Sequence, residues 1–525
     1  MLWARTVAWL LVLVITSVSC THSNDSVSPE ERRQQQYALN TRMLSECLGQ
    51  FAAQGSDSLL ADKALNDFYR DTLVQRLWVP ELAPTAEADS LVAVLSREAR
   101  IAGFPATAFD LKQIRFDLDS VRRVSTDSLQ PMHIEQLARI EYLLTKAYLR
   151  FVKGQRYGFV DNPDKLLLTS NQHIRQAPGG FLRKALDEAV AGRAVSFVVG
   201  SRPSSPLYKR LEELLAQAKD SASLRRIMAN MERERWTNPN HPKDTTEKHV
   251  LVNVAAQQLW AVSADTVFQM RTVCGARASR TPLMRGDITL VVVNPLWRIP
   301  PKIVRDEISR HGGDASYFQR HRYFITNSQG DTLHPSTVSS DDLAACRYRV
   351  TQHRGPGNSL GRLKFHFANS FSVYLHDTNN PGAFGRADRC LSHGCVRVKR
   401  PFDLACFLLG LDAERDAQRL DRLRVAIGQE PLGDEERAWL AEHGEDQTLV
   451  LNRCPDLGVR PAVPVYIIYY TIYPNPESDK LETWGDPYGF DRDLCRALRL
   501  YTLPSALPCM AERQLSSSTP SVLQQ

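Results

Sequence analysis

Near residue 236 the apolar pattern of this chain changes period, and that change constrains the fold class more tightly than any other feature. Before it, apolar residues recur at three- and four-residue spacing: Leu60, Ala64 and Phe68, continued by Tyr69, Leu73 and Leu77, then Leu137, Ile140, Leu144, Tyr148 and Phe151. Such stripes belong to amphipathic helices packed on one face. Breakers at Pro80, Gly103 with Pro105, Pro163, Gly179-Gly180 and Pro203 with Pro206 separate them. After a linker carrying Pro239 and Pro242, residues 250–254, 267–273, 287–293, 363–367, 371–375 and 465–470 are rich in β-branched and aromatic residues. Turn formers bound these runs, as they bound strands. The pattern predicts an α+β protein: a helical scaffold over 29–235, then a mostly antiparallel β-sandwich over 245–500. A polar, mixed insert at 298–348 interrupts the strands, and 404–409 begins a helix. At 525 residues and 43% apolar content, two or three packed domains are expected.

The chemistry concentrates in Tyr374-Leu375-His376-Asp377-Thr378, Arg389 and Ser392-His393-Gly394-Cys395-Val396-Arg397. A cysteine attacks a carbonyl as thiolate, so it needs a base in reach and nearby positive charge. His376, at the end of the β-like run 371–375, is the candidate base. Gly394 permits a sharp turn, so the backbone N–H groups of His393, Gly394 and Cys395 could converge on a tetrahedral oxyanion. Arg397 and Arg389 suit a carboxylate. Plainer readings stand beside these. Cys390, His393 and Cys395 could bind zinc, although no second paired cluster completes four ligands. His376 could be a satisfied strand-end histidine, Arg389 a solvated loop charge and Tyr374 a packing residue.

These motifs resemble the active-site signature of the L,D-transpeptidases, the YkuD domain that crosslinks bacterial peptidoglycan. Asn230-Met231-Glu232-Arg233, Val252-Asn253-Val254, Thr281-Pro282, Asn294-Pro295-Leu296-Trp297-Arg298-Ile299-Pro300 and Gly357-Asn358-Ser359-Leu360-Gly361-Arg362 extend the resemblance to the large YcbB-type branch. The resemblance implies Cys395 as nucleophile, His376 as general base, and His393 and Gly394 with Cys395 as oxyanion-hole backbone. It also implies Arg397 as a substrate-binding arginine, with Tyr374 and Ser392 lining the site. The implied reaction forms a thioester with a tetrapeptide stem, releases D-alanine and passes the acyl group to a neighbouring stem, giving a 3-3 crosslink without a cofactor. Carbapenems are the implied inhibitors. The insert would cap the substrate groove. A small peptidoglycan-binding module found in some relatives has no room here. Rival readings are an L,D-carboxypeptidase or another acyl acceptor, and a catalytically idle wall-binding scaffold.

The net charge of +6 is spread along the chain without a basic stripe, which argues against nucleic acid. Arg5 and the apolar core from Val7 to Ile15 read as an export signal over 1–20, too short to span a bilayer. Ser19 before Cys20 and the polar tether at 21–28 resemble a lipoprotein signal, so a lipid on Cys20 and a membrane-anchored periplasmic location are expected. Ten cysteines are scattered without framework spacing, and the sequence leaves their pairing open. Cys390 is a candidate reversible cap for Cys395. The tail at 506–525, rich in Ser, reads as disordered.

Overall fold

The computed structural model describes residues 28–70, 75–167, 177–236 and 247–505. The expected leader, Cys20, the tail from 506 and nearly all of the linker lie outside the described residues.

The first half is helical. Helix Pro29–Gln54 starts where the Ser28 hydroxyl accepts the Glu31 N–H and the Glu31 carboxylate returns to the Ser28 N–H. At the centre runs Pro131–Tyr157, buried along most of its length. Around it Leu44, Phe51, Leu91, Ile114 and Phe151 form one core. Glu141, buried within that helix, accepts the N–H groups of Leu77, Trp78 and Val79 at 2.6, 2.8 and 3.1 Å. Leu77, expected to close a helical stripe, therefore lies in a loop that satisfies its backbone on a buried carboxylate instead of a further turn.

The second half opens with strands β1 (His249–Asn253), β2 (Gln258–Val262), β3 (Val267–Gly275) and β4 (Met284–Val293). The insert follows with β5 (Trp297–Arg298), β6 (Tyr323–Thr326), β7 (Thr332–Leu333) and β8 (Arg349–Gln352). Then come β9 (Leu363–Phe367), β10 (Leu375–His376), β11 (Cys390–Ser392), β12 (Val396–Val398) and β13 (Leu457–Ile468). The hydrogen-bonded order β3-β12-β10-β9-β4-β13-β1-β2 returns to β3, so the sheet closes on itself. Pairs β1/β13 and β10/β12 are parallel and the other ring pairs antiparallel. β11 adds to the outside of β3. Closure pairs backbone groups that an open sheet would leave exposed. Val252, Leu259, Ile288, Phe365, Leu375 and Ile467 pack inside.

Helix Ser221–Arg235 joins the halves. Its Met231 and Ile227 pack with Leu211 of the neighbouring helix on Trp260 and Tyr466 of the ring and on Tyr470 just beyond β13. The Asn230 amide donates to the Thr471 hydroxyl at 2.7 Å and accepts the Thr471 N–H at 3.1 Å. Arg233 meets Asp491 at 2.6 Å, both buried. The run 230–233 is thus an interface element.

The insert is a small unit with its own sheet, β5-β8-β6-β7, and its own core of Ile303, Phe318, Ile325, Leu343 and Val350. Two asparagines fix its stems. Asn294 donates to the carbonyls of Ala426 and Leu451 at 2.8 and 2.9 Å. Asn358 donates to those of Pro295 and His353 at 3.1 and 2.9 Å.

Candidate active site

A cleft of about 840 Å³ opens between the ring and the insert, and Cys395, His376, Gly394, Ser392, His393 and Arg397 all line it. Pro300, Ile303, Asp306, Glu307, Tyr317 and Tyr323 of the insert form the opposite wall. The insert is therefore part of the cleft and not a remote elaboration.

His376 is placed by short pairings. The run 371–375 does not form the expected strand, because the Asn369 side chain accepts the N–H groups of Phe371 and Val373 and turns the chain there. Only Leu375 and His376 pair, with His376 opposite Lys364 of β9 and Arg397 of β12. Its Nδ1 lies 2.5 Å from the Asp377 carbonyl oxygen. A carbonyl only accepts, so that nitrogen carries the proton. Burial pushes the imidazole down to about 4; Arg397 adds to this, while the carbonyls of Asp377 and Leu360 oppose it. Gly361 sits at φ +65° against Asp377, where a Cβ would lie 2.4 Å from the carboxyl carbon. That close approach lets the Asp377 carboxylate accept the Arg362 N–H at 2.8 Å.

Cys395 precedes β12, and its neighbour Val396 donates its N–H to the Tyr374 carbonyl at 3.0 Å. Burial raises the thiol above its ordinary value, while the Tyr374 backbone N–H, the Lys364 ammonium and Arg397 draw it down. Gly394, at φ +122°, holds a backbone conformation that a side chain would strain. Arg397 forms no ion pair among the described residues, and its Nε is buried without a hydrogen-bond partner. A half-desolvated cation of this kind is ready for an anion.

The turn differs from expectation in one respect. The Gly394 N–H donates to the Ser392 hydroxyl at 3.2 Å, and that hydroxyl donates to the Cys395 carbonyl at 2.5 Å. Gly394 is thereby removed as an oxyanion donor, because Ser392 braces the turn internally. The Cys395 amide makes no hydrogen bond among the described residues. His393 turns its exposed imidazole to the insert, with Nε2 2.5 Å from Glu307 Oε1.

Three further residues stand elsewhere. Arg389 does not reach the cleft; its guanidinium donates to the carbonyls of Thr272, Arg386 and Gln257 at 3.1, 3.0 and 3.1 Å, tying β11 to its surroundings. The Tyr374 ring packs 5.6 Å from His366 with the Lys364 ammonium 3.7 Å from its centroid, away from the cleft lining. Cys390 is buried opposite Cys274 and accepts from Gln257 at 3.2 Å, so it is no cap on Cys395. Among the described residues no three His, Cys, Asp or Glu side chains are grouped to hold a metal ion. Lys364 escaped the sequence reading, since the effect of its charge on the thiol follows from the β9/β10 register.

Comparison with known proteins adds the family. Residues 247–434 match the model of the YkuD L,D-transpeptidase catalytic domain, and residues 63–215 match a scaffold domain model. The chain carries an L,D-transpeptidase catalytic domain. A protein of Haemophilus influenzae named "Putative L,D-transpeptidase" is 26% identical over 336 residues. That alignment spans 62% of this chain and 62% of the relative. In this L,D-transpeptidase domain all the cleft residues named above fall inside the matched stretch, whereas β13 lies beyond its end.

Proposed function

We propose that the protein is a peptidoglycan L,D-transpeptidase forming 3-3 crosslinks through a thioester on Cys395. The observation that carries this is the shared cleft: Cys395, His376 and Arg397 line one cavity beside a free Cys395 amide. With the imidazole depressed and the thiol raised, the resting pair is neutral at pH 7. The sulfur therefore loses its proton to His376 as it attacks the carbonyl carbon of the third stem residue. The carbonyl electron pair moves onto oxygen, where the Cys395 amide receives it. Collapse expels the amine of D-alanine, which takes the proton from His376. An amine of a second stem then attacks the thioester, gives its proton to His376 and leaves the thiol restored. A substrate carboxylate on Arg397 would offset the charge that disfavours imidazolium, so binding itself would strengthen the base.

Export, removal of the residues before Cys20 and lipidation of Cys20 belong to the same proposal, and palmitate labelling that disappears in Cys20→Ser would support it. Incubation with disaccharide-tetrapeptide, followed by mass spectrometry, tests the reaction. Wild type is expected to give dimer lacking one D-alanine, and Cys395→Ala and His376→Ala none. Disaccharide-tripeptide alone would make water the acceptor. Undiminished dimer from Cys395→Ala would remove the mechanism. A carbapenem is expected to leave a covalent adduct on Cys395.

A further inference from the structure

Thr281 is fully buried behind the nucleophile turn, remote from it in sequence and outside the lining of the cleft. Its hydroxyl accepts the Gly275 N–H at 2.8 Å and donates to the Gly394 carbonyl at 2.8 Å. Its own N–H donates to the Tyr488 phenol at 3.0 Å, and that phenol donates to the Gly275 carbonyl at 2.7 Å. Gly275, Thr281 and Tyr488 thus form a closed hydrogen-bonded set, which the Thr281 hydroxyl connects to the carbonyl of Gly394 and the Tyr488 N–H to the Tyr469 hydroxyl. Gly275 permits it, because a Cβ there would lie 2.2 Å from the Ser279 carbonyl oxygen.

The Gly394–Cys395 peptide is trans, so its C=O and N–H point in opposite directions across one rigid plane. Anchoring the carbonyl from behind aims the Cys395 N–H forward. With the Gly394 N–H committed to Ser392, the Cys395 amide stays available as a donor. We propose that Thr281 is a positioning residue for the oxyanion hole, holding the Cys395 amide toward the developing charge through the carbonyl of the same peptide. The inference rests on the thioester reading above and adds which distant hydroxyl preorganises its oxyanion donor. Without that hydroxyl the Gly394 carbonyl and the Gly275 N–H lose their partner, and the peptide plane is free to rotate.

Two reactions of the same thiol separate this role from general damage. Acylation by the tetrapeptide passes through an oxyanion; alkylation by iodoacetamide does not. In Thr281→Val, acylation measured in a single turnover is expected to slow about a hundredfold with KM little changed. Iodoacetamide alkylation is expected to keep its rate and pH profile, and Thr281→Ser to acylate nearly as wild type does. If Thr281→Val does not fold, Tyr488→Phe carries the test, with acylation roughly tenfold slower and alkylation unchanged. Acylation within about twofold of wild type, alkylation falling in parallel, or failure of Thr281→Ser to restore the rate would each overturn the inference. Failure of the wild type itself to be acylated would instead overturn the thioester reading.

Discussion

Glu307 of the insert and His393 of the nucleophile turn meet at 2.5 Å across the mouth of the cleft. Both side chains are about half exposed, at 47% and 54%. The contact joins two units that otherwise meet at stems anchored by Asn294 and Asn358, so it acts on closure of the cleft more than on stability.

Glu307→Gln is therefore expected to change unfolding free energy by less than about 1 kcal/mol, as solvent-exposed pairs do. KM for the tetrapeptide is expected to change several-fold with kcat nearly constant. Steady-state kinetics beside a thermal melt check both halves.

The buried imidazole of His376 sets a pH dependence. Folded, it gives up its proton at about 4; unfolded, near the ordinary 6.5. Between these values the unfolded chain binds more protons, so the stabilising contribution, complete above 6.5, is lost as pH falls through 4. The loss should reach roughly 3 kcal/mol at the acid end. Urea unfolding from pH 7 to pH 4 is expected to show it, with a shallower slope in His376→Asn. The acid limb of kcat/KM is expected to lie well below 6.5.

The Lys364 ammonium, seated over the Tyr374 ring, draws the titration of the thiol downward. Lys364→Met is expected to raise the midpoint of iodoacetamide alkylation and to slow alkylation at pH 7 by roughly two- to fivefold. An unchanged profile would remove Lys364 from the electrostatics of the site.

Among the described residues Arg397 pairs with no carboxylate, so its removal should have opposite effects on folding and binding. Arg397→Met is expected to leave stability unchanged or slightly higher. Loss of a charge-assisted bond to substrate should raise KM by about ten- to a hundredfold. Chemical denaturation and substrate titration measure the two effects.

Arg233 and Asp491 make the opposite case, a buried pair at 2.6 Å between the helical half and the C-terminal segment. Arg233→Met leaves the buried Asp491 charge without its cation, with the Thr471 hydroxyl as its remaining donor, and is expected to cost about 3–5 kcal/mol, read as a fall in the midpoint of urea unfolding.

The halves of the fold were legible because 3.6- and 2-residue periods are local, and Cys395 and His376 stood out because their chemistry is carried by side-chain type. What could not be read depends on register and on side-chain competition for backbone groups. Asn369 converts an apolar, strand-like run into a turn, Ser392 takes the Gly394 N–H from the three amides expected to face an oxyanion, and Arg389 commits its donors to three carbonyls. The charge of Lys364 acts on the thiol only because β9 pairs with β10 in one register. Thr281 lay in a motif run, yet its partner carbonyl is far along the chain, and no local pattern announces that contact.

β13 sits between β4 and β1, although it begins at residue 457, after the end of the matched catalytic stretch at 434. A shortened protein cut at that boundary would lose the stave that completes the barrel. It would present two long unpaired margins to neighbouring molecules, so insolubility is the expected fate of such a fragment.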